Sequence, residues 1–262
     1  MDKLAIFISG RLTCYDTDLI KMLQLFSNYY EVHLFISIND NFSEYYADAE
    51  NKLKPWLKAS RYENFVCPIE NNIHPETLFQ TINNKKVPYT VMSCFYNDMR
   101  AFELIEKYET ENNIEYDIYC KFRADIKIIG RFNKFIVPDK NSNKLYSCVP
   151  PCQIRINNWI AAPICICDNF AYGNKKIMKI YCNTYNWIID FNNKMNGNYR
   201  INYETSLTEN IIDAYLLDKT RINNPDDIKN AYKNNPRGIE IEYFNNDYFY
   251  NPNRRSRDNV LR

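Results

Sequence analysis

The sequence predicts an α/β fold with a mostly parallel central sheet, and three apolar runs carry that prediction. LAIFIS at Leu4–Ser9 and EVHLFISI at Glu31–Ile38 have the composition of buried parallel strands. The segment between them has helical spacing, and a strand, a helix and a strand in about forty residues form a right-handed βαβ unit. The run YDIYCKF at Tyr116–Phe122 predicts another buried strand.

The other elements of the amino-terminal half follow from the spacing of apolar residues. A helix is expected from about Asp18 to Tyr29, a second over residues 42–62, and a short strand at Asn64–Ile69. Two prolines punctuate Asn71–Pro88, which predicts a loop with a short helix. Thr90–Asn112 predicts the longest helix. The residues that keep a helical spacing there are Met92, Phe95, Met99, Phe102, Ile105 and Glu106.

The carboxyl-terminal half continues the alternation of strands and helices. Lys144–Val149 predicts a strand, and helices are expected from about Asn174 to Phe191 and over Glu204–Leu217. A chain of 262 residues suits one large α/β domain, which we assign to residues 1–220. Residues 221–262 are rich in Asn, Pro and charge, and predict a partly irregular extension.

Composition limits the classes of partner. The formal net charge is +1, so no strong field favours nucleic acid or an anionic membrane. The nine cysteines form no CxxC pair, which predicts buried thiols in a reducing compartment. The first apolar run is too short for a signal peptide, and no run approaches the ~18 apolar residues of a membrane span. A cytoplasmic location is expected, and oligomeric state stays open.

A charged triplet, Arg123-Ala124-Asp125, ends the central strand. Ligands of open α/β sheets bind beyond the carboxyl ends of the strands, where Ser9–Arg11 and Asp40 are also expected. An arginine there can hold a diphosphate, and an aspartate can hold a divalent metal or a sugar hydroxyl. An Arg–Asp pair that merely closes the strand remains an alternative.

Two common nucleotide-binding motifs are absent from the sequence. No GxGxxG follows the first strand, and no GxxxxGK[ST] occurs anywhere in the chain. These absences argue against a dinucleotide-dependent oxidoreductase and exclude a P-loop ATPase. A nucleotide site in this chain must therefore be built in another way.

Four motifs, in their order along the chain, resemble a known family. They are SGR at Ser9–Arg11, FYND at Phe95–Asp98, YDIYCKFRAD at Tyr116–Asp125 and DNFAYGNKKIM at Asp168–Met178. Together they resemble nucleotide-sugar-dependent glycosyltransferase-like proteins with a GT-A-type fold, found in bacterial surface-polysaccharide clusters and in large DNA viruses. Each motif is short, and the resemblance covers most of residues 4–217.

The resemblance implies a fold and a donor site. The fold is a GT-A/Rossmann-like three-layer sandwich, with a nucleotide-binding half over about residues 1–130 and an acceptor half over about 131–220. The donor-site residues that it implies are Ser9, Gly10, Arg11, Asp40, Tyr96, Asn97, Arg100, Arg123 and Asp125. For the helix residues in this set, an ordinary solvated face is the alternative.

The triplet departs from the family in one respect that bears on cofactors. Most GT-A enzymes hold a divalent metal with a DxD motif, whereas this chain has Arg123-Ala124-Asp125. Two arrangements stay open: a Mn²⁺ or Mg²⁺ ion at Asp125, or neutralisation of the leaving diphosphate by Arg123 itself. Metal dependence is therefore an open question at the sequence level.

The same resemblance implies an acceptor side. Asp168 is the candidate general base for an inverting displacement, and Phe170, Tyr172 and Gly173 would shape the acceptor pocket. Glu204 is the second candidate base. Either carboxylate has a purely structural alternative at the start of a helix.

The expected function is transfer of a sugar from a nucleotide-sugar donor to a glycan or other hydroxyl acceptor, in the cytoplasm of a bacterium or of a virus's host. One alternative is a catalytically degenerate module that only binds a nucleotide sugar, because the first carboxylate of DxD is missing. The other is a carboxylate–metal nucleotidyltransferase or nuclease. The near-neutral charge argues against that last class.

Overall fold

The structure, a computed structural model, describes most of the first 216 residues and one later strand. The described residues are 1–10, 12, 15–38, 43–75, 77, 79–82, 85–124, 132, 134–148, 155–156, 159–160, 166, 169–216 and 240–244. All statements on structure below concern these residues.

Strands and helices alternate along the chain. The strands are β1 (Lys3–Ser9), β2 (Glu31–Ile38), β3 (Leu57–Tyr62), β4 (Gln80–Ile82), β5 (Lys85–Val87), β6 (Ile118–Phe122), β7 (Lys144–Cys148), β8 (Arg155–Ile156), β9 (Trp159–Ile160), β10 (Phe170–Gly173) and β11 (Glu240–Phe244). The helices are α1 (Ile20–Ser27), α2 (Ser43–Leu53), α3 (Tyr89–Asn112), α4 (Lys175–Cys182), α5 (Thr184–Lys194) and α6 (Tyr203–Leu216). A π-helical turn, Tyr15–Leu19, leads into α1.

Seven of the described strands form the central sheet, in the order β11-β7-β10-β6-β1-β2-β3. The pairs β1–β2, β1–β6, β2–β3 and β7–β11 are parallel, whereas β10 is antiparallel to both β6 and β7. Six strands therefore run in one direction and β10 runs against them. The predicted α/β fold with a mostly parallel central sheet is confirmed.

Helices cover both faces of this sheet because the buried strands are apolar on both sides. Leu4, Ile6 and Ile8 of β1 pack into the same apolar cluster as α1 and α2. The alternate residues Ala5 and Phe7 pack into the cluster that contains α3, α4, α5 and α6. The result is the three-layer, Rossmann-like sandwich that the sequence predicts.

Helix α3 runs antiparallel to the central strands, and this direction positions the site described below. Its residues Asn97 and Asp98 bond to side chains near the carboxyl ends of β2 and β6. Three turns later, Glu109 accepts hydrogen bonds from the hydroxyl of Tyr119 and from the backbone N–H of Tyr116, at 3.3 Å for the latter. The amino-terminal half of α3 therefore lies at the carboxyl edge of the sheet.

Two predictions for residues 42–69 are wrong. Residues 42–62 were expected to be helical, but α2 ends at Leu53, Pro55 follows, and β3 forms the edge of the sheet. Asn64–Ile69 was expected to be a strand. This segment buries Phe65 and Cys67 and exposes Val66, so it alternates like a strand, yet it belongs to none of the described sheets.

Three further elements differ from their predictions. Residues 71–88 contain the β4–β5 hairpin rather than a short helix. The single helix expected up to Phe191 is divided at Asn183 into α4 and α5. Asn210 of α6 bonds to groups on both sides of this break. Its Nδ2 donates to the Ile180 carbonyl at 2.7 Å and to Thr184 Oγ1 at 2.9 Å. The extension from residue 221 contributes β11 to the sheet, beside β7.

The described cysteines and helices bear on two expectations of the sequence. Cys67, Cys120 and Cys182 are free thiols, and burial raises the pKa of Cys120 and Cys182. Thiols held in their protonated form by burial are poor nucleophiles. No described helix is both long enough and apolar enough to cross a membrane.

Candidate functional site

A row of buried polar side chains lies near the carboxyl ends of the parallel strands. Ser9 of β1, Ser37 of β2 and Lys121 of β6 are all buried. Because side chains alternate across a strand, the three lie on the α3 side of the sheet. Two residues earlier on each strand the same side is aromatic, with Phe7, Phe35 and Tyr119. The α3 face of the sheet therefore changes from aromatic to polar at this edge.

The centre of this row is a buried ion pair. The Lys121 ammonium group donates hydrogen bonds to Ser9 Oγ and to Asp98 Oδ1. The side chains of Lys121 and Asp98 are 1% and 0% exposed. One cation therefore joins β6, β1 and α3 in a region that excludes water.

A second contact ties α3 to β2. Ser37 Oγ donates to Asn97 Oδ1 at 3.1 Å, and Asn97 Nδ2 donates to the Ser93 carbonyl at 2.8 Å. Both partners of the first bond are buried. The amide of Asn97, an expected donor-site residue, is therefore engaged within the protein and holds α3 on the sheet.

Two of the expected donor-site residues lie at the rim above the ion pair. The register of β1 and β6 pairs Phe7 with Lys121, which brings Ser9 level with Arg123. Arg123 follows β6 directly and is half-buried. Gly10 follows β1 with a φ of +87°, a left-handed conformation that glycine adopts without strain, so the chain turns immediately after Ser9.

The acceptor half approaches the same edge through β10. Its first residue, Phe170, pairs with Phe122, so Asn169 and Arg123 each lie one residue beyond that pair. Upstream of β10, the backbone N–H of Ile166 donates to Thr208 Oγ1 of α6 at 3.2 Å. Ile166 thus lies against α6, one helical turn after Glu204.

Tyr96 and Arg100 lie in a different cluster from Asn97. The Tyr96 hydroxyl donates to Glu63 Oε1 at 2.7 Å, and Arg100 forms ion pairs with Glu63 and Glu103. Burial and the neighbouring Glu63 carboxylate raise the pKa of Tyr96 to about 12. Glu63 follows β3, so these two expected donor-site residues are grouped at the edge strand. Arg123 lies on the far side of β1 and β2.

Phe170, Tyr172 and Gly173, the expected acceptor-side residues, are all buried in β10. The ring of Tyr172 stacks on Tyr146 with centroids 4.4 Å apart. A Cβ atom on Gly173 would lie 2.3 Å from Ile177 Cγ2, so this glycine allows α4 to pack closely on β10. All three residues lie within the packed interior, and a role toward an acceptor stays a prediction.

Several expected site residues lie outside the described residues. These are Arg11, Asp40, Asp125 and Asp168, together with the side chain of Glu204, whose backbone belongs to the first turn of α6. The expected metal ligand is among them. Elsewhere in the described part of the chain, no group of three or more His, Cys, Asp or Glu side chains is arranged to hold a metal ion.

Sequence reasoning missed Lys121, Asp98 and Ser37, although two of them had a visible signal. Lys121 is a charged residue inside the apolar strand IYCKF, where no solvated position exists. Asp98 lies between Phe95 and Phe102 on the buried face of α3, at the position where Met99 was expected. A lysine and an aspartate that interrupt two apolar patterns are candidates for a buried pair. Ser37 carried no comparable signal.

A second buried carboxyl group lies on α6. Glu209 accepts a hydrogen bond from the hydroxyl of Tyr199, whose oxygen also lies 3.2 Å from Ser206 Oγ. Burial raises the pKa of Glu209 to about 7, against the lowering effects of the Tyr199 hydrogen bond and of Arg200. The carboxyl group therefore holds its proton in the folded protein under mildly acidic conditions.

The raised pKa of Glu209 predicts that the free energy of unfolding falls as the pH rises. Between the unfolded pKa of 4.5 and the folded pKa of about 7, the folded state retains a proton that the unfolded chain has lost. The contribution is fully present below pH 4.5, and about 3 kcal/mol is lost by pH 8. Urea unfolding at pH 4.5 and pH 8 measures it. The Glu209→Gln variant should lack that part of the decline, and identical pH dependence in the two proteins would contradict the assignment.

Comparison with known proteins gives a fold-level similarity. No protein-family model and no curated protein matches the chain. Two crystal structures of the glycosyltransferase GlyE of Streptococcus pneumoniae TIGR4, one of them the apo form, are similar to it, with TM-scores of 0.38 and 0.39 at 12% identity. The matches cover 95% and 94% of this chain and 56% of the pneumococcal protein, so the chain spans about half of that protein's length. A likeness at this level carries no argument for an activity of this chain.

Proposed function

We propose that the protein is a glycosyltransferase, which moves a sugar from a nucleotide-sugar donor to a hydroxyl group of a glycan or another acceptor. One observation carries the proposal. At the carboxyl edge of the sheet, the Lys121 ammonium group donates to Ser9 Oγ, 112 residues away in sequence, and to Asp98 Oδ1. These residues belong to three of the motifs that resemble the family, and this edge is where open α/β sheets bind their ligands.

The fourth family-like motif reaches the same edge. DNFAYG begins at Asp168 and continues into β10, whose first residue pairs with the last residue of β6. A donor held over β6 would therefore have the acceptor half beside it. Glycosyl transfer needs this arrangement, because a positive group must stabilise the leaving diphosphate while a carboxylate activates the acceptor hydroxyl.

In the proposed reaction, the acceptor oxygen forms a bond to the anomeric carbon as the bond from that carbon to the diphosphate breaks. Asp168 takes the proton of the acceptor hydroxyl, and Arg123 offsets the negative charge of the departing nucleoside diphosphate. Asp125 would bind either a donor-sugar hydroxyl or a Mn²⁺ or Mg²⁺ ion, and such an ion would supply positive charge for the leaving diphosphate. Glu204 is the alternative base.

A transfer assay tests this function against a module that only binds. Purified protein is incubated with UDP-, GDP-, CMP- and dTDP-sugars, in turn, with and without a panel of glycan acceptors, and release of the free nucleotide is measured. Acceptor-dependent release from one donor is the expected result. Donor binding without release would favour the degenerate module, for which the replacement of the first DxD carboxylate by Arg123 is the supporting observation.

Arg123 gives a prediction about donor affinity. The Arg123→Ala variant removes the cation nearest the expected diphosphate, so its Kd for the preferred nucleotide sugar should rise by roughly tenfold to a hundredfold, the loss of one charge-assisted contact. Lys107→Ala is the control, since it removes an exposed cation in the carboxyl-terminal half of α3, away from the carboxyl edge of the sheet. Titration calorimetry compares them, and equal affinity in all three proteins would remove Arg123 from the donor site.

A further inference from the structure

The Lys121–Asp98 pair is a buried ion pair, and burying its two charges has a desolvation cost that an apolar pair would not have. Its two side chains are almost completely buried. They lie where the row of polar side chains meets the aromatic part of the same face, which begins two residues earlier on each strand. The free energy needed to remove two charges from water is commonly larger than their mutual attraction. Replacing such a pair with apolar residues of similar volume often leaves a protein equally stable or more stable. Stability alone therefore gives a weak reason for this pair.

The partners to which Lys121 bonds give a stronger reason for the presence of the pair. Lys121 bonds to Ser9, the last residue of β1, while its own strand ends one residue later, just before Arg123. Its other partner, Asp98, is adjacent to Asn97, which bonds to Ser37 near the end of β2. Apolar side chains could fill the same space, but they lack directional hydrogen bonds and would not fix the positions of these strand ends relative to one another.

The network also fixes the relative level of two loops. The turn at Gly10 begins directly after Ser9, and Arg123 begins the segment that follows β6. A shift of β6 along β1 would change the level of Arg123 relative to Gly10. It would also stretch the bonds from the Lys121 ammonium group to Ser9 and Asp98. The two loop starts are therefore held in register by one buried cation.

We propose that the network of Lys121, Asp98 and Ser9 is a positioning element, which sets Arg123 and the turn at Gly10 at the spacing that a nucleoside diphosphate requires. The assignment of a ligand class rests on the proposed function. Lys121 is a positioning residue and does not itself touch the donor, because its ammonium group is enclosed by the protein.

The informative variant is the double substitution Lys121→Met with Asp98→Leu. It removes both charges together and keeps similar volumes, so neither charge is left buried without its partner. The single substitution Lys121→Met removes the ion pair of the Asp98 carboxylate and serves as the destabilised reference. Tyr116→Phe is a control at the opposite edge, where it removes the 2.7 Å hydrogen bond between the Tyr116 hydroxyl and His33 Nδ1.

Two readouts test the proposal on the full chain. Hydrogen exchange of the backbone amides should be at least about tenfold faster in the double variant at residues 8–10 and 120–124, with exchange in β2 and α4 unchanged. The Kd for the nucleoside diphosphate that stabilises the wild type most should rise about tenfold, although the melting temperature is kept. Tyr116→Phe should change neither the exchange at this edge nor the affinity.

The outcomes separate this proposal from the proposed function. Unchanged exchange at residues 8–10 and 120–124 in the double variant overturns the positioning role, whether or not any nucleotide binds. Faster exchange there, together with no nucleotide binding by the wild type, supports the positioning role and rejects the glycosyltransferase. Faster exchange with unchanged affinity for a bound diphosphate overturns the assignment of the ligand.

Discussion

Replacing Asp125 with alanine is expected to abolish sugar transfer and leave the protein folded. Asp125 is two residues beyond Arg123 and follows the carboxyl end of β6, the strand that carries Lys121. A carboxylate at this point would bind either the donor sugar or a metal on the diphosphate, and alanine can do neither. Loss of a group that stabilises the transition state costs roughly 100-fold or more in rate.

The measurement is the rate of nucleotide release with donor and acceptor both saturating. Asp190→Ala is the matched control, because Asp190 is an exposed aspartate on α5, remote in sequence from every family-like motif. The control should keep the wild-type rate, and both variants should keep the wild-type melting temperature. An Asp125→Ala variant with full activity would show that the end of the central strand has been wrongly assigned.

Replacing Asp168 with asparagine is expected to lower the transfer rate by about 10²- to 10⁴-fold, the usual contribution of a general base. The change removes the proton acceptor and keeps the shape of the side chain. Donor affinity should remain within about a factor of two, since the carboxylate acts on the acceptor. The rate of the variant should also lose the dependence on pH that the ionisation of the base produces.

Glu204→Gln distinguishes the two candidate bases. Glu204 lies in the first turn of α6, where a carboxylate also stabilises the helix dipole. If Asp168 is the base, this variant should keep most of its activity and lose at most about 1 kcal/mol of stability. A large loss of rate in Glu204→Gln together with normal activity in Asp168→Asn would reverse the two roles.

The fold was predictable from sequence where elements are buried on both faces or are long. The first two strands and helix α3 were predicted within one residue of their observed ends, because LAIFIS and EVHLFISI are continuous apolar runs and α3 has six turns of apolar spacing. The antiparallel direction of β10 could not be predicted from composition. The direction depends on the path of the chain after β6, and the hydrophobic pattern of a sequence does not reveal that path.

The elements that were missed lie at edges of the sheet, where one side of a strand meets solvent. Strand β3, LKASRY, is half-exposed along its length and has no alternation to recognise. The segment Asn64–Ile69 has the alternation because Phe65 packs against Tyr96 and Tyr185, so burial of alternate side chains occurred without sheet pairing. For β11 the alternation of EIEYF was present, but the polar tail around it obscured the pattern.

The adjacency of the ends of β1 and β6 was predictable from the sequence, whereas a ligand site there stays a prediction. The ends of β1 and β6 were selected because polar residues there follow apolar runs, and the bond between Ser9 and Lys121 joins those two ends. The buried pair itself was missed, since a pattern of apolar and polar residues assigns every charge to solvent. Which helix face meets which strand decides where Asp98 lies, and that depends on tertiary packing.

The glycosyltransferase proposal is tested most directly by a thermal-shift screen of the full chain against UDP-, GDP-, CMP- and dTDP-sugars, each with Mn²⁺, Mg²⁺ or EDTA. A donor at about 100 times its Kd should add roughly 2.7 kcal/mol of stability, a rise in melting temperature of about 5 to 10 °C. We expect such a rise with one nucleotide family. Loss of the rise in EDTA would indicate a metal at Asp125, and its survival would indicate that Arg123 serves in place of the metal. No rise with any donor, at concentrations up to millimolar, would contradict a nucleotide-sugar site in this protein.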